Sequence, residues 1–111
     1  MTVTATVLIP AKVAEAVQTP QYVAANVTAI IDKFTATNFS STATTISVHL
    51  VTAGNSADDS NIITKTKRLQ PTEVYTFPEI VGQVLTTNSV ISTIAGTASA
   101  INIRASGREV V

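Results

Sequence analysis

The sequence predicts an all-β fold, an antiparallel β-sandwich of about seven or eight strands, on three observations. Thr, Val and Ile dominate the chain, and branched side chains fit a pleated, half-buried surface better than a helix. Short runs alternate apolar and polar residues with a period of two. Turn-forming residues punctuate those runs at intervals suited to a sandwich. At 111 residues the chain is long enough for one domain with its own core. Residues 1–20 are expected to be an N-terminal strand or arm, and residues 21–111 the sandwich body.

"TATVLI", residues 4–9, opens the set of strands. "AKVAEAVQ", residues 11–18, is ambiguous, because Val13 and Val17 also sit at helical spacing; a strand or extended arm is the preferred reading. "QYVAA", residues 21–25, follows. "VTAIIDKFTATN", residues 27–38, is apolar on both faces apart from Asp32 and Lys33, the pattern of a strand covered on both sides or bent by a bulge. In "TTISVHLVT", residues 44–52, Ile46, Val48 and Leu50 share one face, while Thr45, Ser47 and His49 share an outward polar one. "NIITKTKRL" and "EVYTF" read as strands divided by Gln70-Pro71. "NSVISTIAG" is another, ending at Gly96, and "SAINIRAS" alternates Ile101, Ile103 and Ala105 against Ala100, Asn102 and Arg104.

One stretch breaks the pattern. Pro78 suits the first turn of a helix and Glu79 its positive end. Ile80, Val81, Val84 and Leu85 lie at helical spacing, which predicts a short helical turn over residues 78–85 that plugs an open end of the core. Gly82 keeps it short, at a cost of about 1 kcal/mol relative to Ala.

Composition removes several chemistries. There is no cysteine, so no disulfide or thiolate metal site. Seven basic residues balance seven acidic ones, so no net field draws nucleic acid or an anionic membrane, and neither is an expected partner. "MTVTATVLIPAKVAEAV" has neither the charged start of a secretory signal nor the apolar length of a membrane span, and synthesis in the cytoplasm is expected. His49, the only histidine, has no partner at a characteristic catalytic or metal-binding spacing. The four glycines are too dispersed for a phosphate loop. No catalytic, cofactor-binding or metal residue is assigned, and no small-molecule substrate is expected.

Two clusters invite a binding reading. "AGNSADDSN" gathers Asn55, Asp58, Asp59 and Asn61, oxygen donors of the kind calcium takes, but without the spacing of an EF-hand; a hairpin loop accounts for them better. Lys65, Lys67 and Arg68 lack the aromatic neighbours of a single-strand platform. They fit an edge strand guarded against aggregation, or a contact with an acidic protein surface. Arg104 and Arg108 belong with them as candidate contact residues.

The segments "AIIDKFTATN", "ISVHLVTAG", "LQPTEVYTFPEIVGQVL" and "SVISTIAGTASAINIRASGREV" resemble the small capsid decoration, or staple, proteins of short-tailed bacteriophages of the epsilon-fifteen type. The likeness runs from about Tyr22 onward, on motifs that are strand and turn signals. It implies a jelly-roll-like sandwich that binds the outside of an icosahedral shell and clamps neighbouring copies of the major capsid protein, located on the virion after synthesis in the host cytoplasm. It also implies a homodimer, since a clamp on a two-fold position must itself be symmetric, and it brings no catalytic, cofactor or metal residue. Other classes remain open: a head-to-tail joining or tail structural component, or the binding sandwich of a fibre or adhesin. Scarce aromatics, with only Tyr22 and Tyr75 as tyrosines, count against sugar stacking in the last.

Overall fold

The β-branched runs form nine strands and no helix in the computed structural model, which describes residues 1–111. In chain order they are β1 (Val3–Val13), β2 (Thr19–Val23), β3 (Thr28–Asn38), β4 (Thr44–Val51), β5 (Ile62–Leu69), β6 (Val74–Thr76), β7 (Val84–Leu85), β8 (Val90–Ala95) and β9 (Ile101–Val110). One antiparallel sheet has the order β1-β9-β3-β6, with β7 also on β3; the other has the order β2-β8-β4-β5. Strands from both ends of the chain interleave in each sheet, a jelly-roll-like arrangement. Residues 3–13 are thus part of the first sheet, paired with β9 along their length.

The core lies between the sheets and is built from the alternate residues that the period of two selects. Ile31, Phe34, Ile46, Val48, Ile91, Ile101 and Ile103 are buried, and each such side chain contributes about 1.5–3 kcal/mol by leaving water. Phe34 and Phe77 meet edge to face with centroids 4.9 Å apart, and Tyr75 meets Phe77 at 4.7 Å. On β3 the pairing with β9 slips between Ile31 and Lys33, so of the two readings of this run the bulge, at Asp32, is the one the structure has. Gln70-Pro71 divides β5 from β6 through a turn closed by the Glu73 N–H on the Gln70 carbonyl at 3.0 Å, with Thr72 at a φ of 64°.

Two expectations need correction. The helical turn over 78–85 is one turn only. The Val81 N–H reaches the Phe77 carbonyl at 3.2 Å, but the chain leaves the turn at Gly82, whose φ is 86°. Gly82 and Gln83 then bond to Ile31, which draws Val84 and Leu85 into β7. Ile80 is fully buried and does plug the core, whereas Val81 and Val84 are exposed. Second, the polar face of β4 is not open to water: Ser47 and His49 lie opposite the core residues Ile46 and Val48 yet are buried as well. β4 is central in its sheet, and the β5 bulge brings the Thr66 N–H to the Ser47 Oγ at 2.8 Å. His49 is enclosed by Gln18 and the β4–β5 loop.

Candidate docking surfaces

The five basic residues singled out from the sequence do not form one patch. Lys65, Lys67 and Arg68 lie on β5, an edge strand, as a guarded edge requires. Arg104 and Arg108 lie on β9, inside the other sheet. Most of these charges have partners within the chain. The Lys65 ammonium is 3.6 Å from the Asp59 carboxylate, with both side chains exposed. Lys67 sits over the Tyr75 ring at 4.5 Å from its centroid. Arg108 grips Asp32 with two prongs, Nε to Oδ2 at 3.0 Å and Nη2 to Oδ1 at 2.9 Å, so the bulge on β3 is held by the strand it disturbs.

Glu79 anchors the β5–β6 flank. The Tyr75 hydroxyl donates to it at 3.0 Å and the Thr64 hydroxyl also donates to it. Burial pushes its carboxyl up, but hydrogen bonds from Thr64, the main chain and Tyr75, with the Lys67 charge nearby, outweigh burial and hold it below the usual range. Glu79 keeps its place in the single turn, and its side chain also ties the edges of the two sheets together.

Arg104 differs. Across the β3–β9 ladder Thr35 faces Arg104 and Lys33 faces Ser106, so two cations and two hydroxyls form a square on the outer face of the first sheet. They line a shallow depression of about 190 Å³ with no acidic residue in its wall. Neither cation makes a salt bridge within the chain. Like charges on diagonal cross-strand positions are unfavourable without an anion between them. Lys33 was legible only as an interruption of an apolar run; its place beside Arg104 depends on strand pairing between residues far apart in sequence. Arg68, exposed on β5, has no such neighbour.

The β4–β5 loop organises itself. Asp58 accepts from the Ser60 N–H at 2.8 Å and from its hydroxyl, while Asn61 accepts from the Asp58 N–H at 3.1 Å and donates to the Ser56 carbonyl at 2.8 Å. These are turn contacts, and no three His, Cys, Asp or Glu side chains converge as a metal site would require. Beneath the loop is a groove of about 320 Å³ lined by Gln18, Pro20, Val51, Asn55, Val90 and Ser92 among others. Gln18 donates to the Ser92 hydroxyl at 2.8 Å and lies 3.4 Å from His49 Nδ1.

Burial pushes the His49 imidazole below its ordinary value, against the opposing pull of Asp59 and Asp58. The unfolded chain then takes up the proton first, so this site loses stability as the pH falls below about 6.5. The urea midpoint is expected to drop between about pH 7.5 and about pH 5.5 in the native chain and to stay nearly level in His49→Gln. Glu15, Asp58 and Glu79, all held low, act only nearer their own range around pH 4. An equal drop in both proteins contradicts the assignment to His49.

No protein-family model, curated protein or solved structure matches the chain.

Proposed function

We propose that this chain is a virion structural protein that docks on the outside of an icosahedral capsid and clamps neighbouring major capsid proteins, acting as a homodimer. The observation that carries the reading is the Lys33, Thr35, Arg104, Ser106 square: two cations without acidic partners, on the outer face of a sheet, in a chain with no net charge. Such a face suits an acidic rim on a protein partner. Threonines around it supply hydrogen bonds from side chains that lose little entropy on docking, and repetition over a shell turns modest contacts into avidity. The jelly-roll-like strand order and the resemblance in the β3, β4, β6–β7 and β8–β9 segments support the same reading. No catalytic role, cofactor, metal, nucleic acid, membrane or small-molecule substrate enters it.

Co-sedimentation of the purified protein with shells that lack it tests this function. Saturable binding is expected at several copies per capsomer, weakening as salt screens the cationic face, with decorated shells surviving heat better than bare ones. Failure to bind shells, or saturation at a handful of copies per particle, removes the decoration role; the second result indicates a joint at one vertex.

A further inference from the structure

The two sheets leave four strand edges, and three of them carry protection. β6 and β7, with three and two residues, are too short to template another strand. β5 bears Lys65, Lys67 and Arg68 and has two register shifts. β2 is five residues long, with Pro20 and a register shift in it. β1 is the exception. From Val3 to Val7 its pairing with β9 runs unbroken, and it holds no charge and no proline until Pro10 and Lys12. Val3 is 51% exposed and Val7 45%, while Ala5 between them is exposed too. An unguarded, uncharged edge is a template for another strand.

The direction of the free groups follows from the pairing. Thr2 and Val111 exchange both main-chain hydrogen bonds at 2.9 Å. With the register unbroken, Thr4 and Thr6 likewise turn their N–H and C=O groups toward β9, and Val3, Ala5 and Val7 turn theirs to the free edge.

We infer that β1 pairs with β1 of a second copy, antiparallel, with Ala5 on the two-fold axis. Ala5 then faces Ala5, and Val3 faces Val7 in both directions. Every free donor and acceptor of the stretch meets its complement, and Val3, Ala5 and Val7 of both copies form one apolar strip. No like charges oppose one another, because Lys12 lies beyond the paired residues. A second copy suits this edge because the stretch is complementary to itself under a two-fold rotation. The two first sheets become one continuous sheet, and the dyad perpendicular to it turns both Lys33–Arg104 squares the same way. The pairing identifies the interface of the homodimer proposed above, and it is tested on the protein alone, away from any shell.

Sedimentation velocity over a concentration series is the experiment, on the native chain, Ala5→Asp and Ala5→Pro. Ala5→Asp places two carboxylates against each other on the axis, while in the separate chain the exposed position 5 faces only Arg108 of its own β9, so the monomer keeps its fold. Ala5→Pro removes two outward N–H groups and no bond within the fold. The native chain is expected to be dimeric and both variants to dissociate about tenfold or more readily, with unchanged circular dichroism and thermal midpoints extrapolated to the monomer. A monomeric native chain, or two folded variants that dimerise as the native chain does, overturns the pairing. Dissociation of both variants upholds it even if no form binds shells, and that combination removes the docking reading alone.

Discussion

Gly107→Ala is expected to destabilise the protein by about 3 kcal/mol or more, out of proportion to a single methyl group. A Cβ built there lies 2.1 Å from the Ile30 carbonyl oxygen, 3.1 Å from its carbon and 2.9 Å from Leu8 Cδ1. The first two atoms are backbone in β3, which is held to β9 by the ladder on either side of the Asp32 bulge. They cannot rotate away, so either β3 shifts or the bulge opens. Gly96→Ala provides the comparison. Its Cβ also meets an atom closely, Thr45 Oγ1 at 2.5 Å, but that is a side-chain hydroxyl able to change rotamer. Urea unfolding of both variants checks this, and equal losses contradict the close approach at Gly107.

The second large effect is expected at Asn38, which is fully buried at the end of β3. Its amide donates to the Thr42 carbonyl at 2.9 Å and the Leu69 carbonyl at 3.0 Å, and its oxygen accepts from the Ser40 N–H at 2.9 Å and hydroxyl at 2.7 Å. One side chain thus ties the β3–β4 crossover to the end of β5, joining the two sheets at a corner. Asn38→Ala leaves the Leu69 carbonyl without its buried partner, opens a cavity, and removes the ties to Ser40 and Thr42 nearer the surface. At about 1–3 kcal/mol for the buried group left unpaired and about 0.5–1.5 kcal/mol for each further bond lost, the loss is expected to reach about 3 kcal/mol. The adjacent Phe39 is 53% exposed, and Phe39→Ser is expected to stay within about 0.5 kcal/mol of the native chain. Comparable losses at the two positions in denaturant titrations contradict a structural role for the Asn38 network.

The fold class was legible because period-two alternation and branched side chains are local properties. The β3 bulge was half legible: Asp32 and Lys33 interrupt an apolar run at neighbouring positions, which suits a strand covered on both faces or a bulged one, and the slip in pairing with β9 selects the bulge. Alternation misled at His49 and Ser47, since it separates the faces of a strand without saying what lies over each. A loop closing over the sheet and a bulge on the neighbouring strand, both nonlocal, buried the polar face. The Pro78-Glu79 signal produced one turn, and the pull of Ile31's main chain on Gly82 and Gln83 ended it.

The candidate surface was half legible. Arg104 stood out by its charge, and strand alternation placed it outward. Lys33 joins it only through the pairing of β3 with β9, and no spacing in the sequence encodes that neighbourhood. Lys65, Lys67 and Arg108 drew notice by the same charge, yet each is engaged within the chain, by Asp59, Tyr75 and Asp32. Whether a cation is free to meet another molecule depends on such partners and not on its frequency in a segment.

Binding to bare shells by two charge-reversed proteins, Lys33→Glu/Arg104→Glu and Lys65→Glu/Lys67→Glu, tests the proposed docking face most directly. The first pair is expected to abolish saturable co-sedimentation while leaving circular dichroism unchanged, and the second to bind as the native chain does. Loss of binding in the β5 pair with retention in the β3–β9 pair contradicts docking through the first sheet.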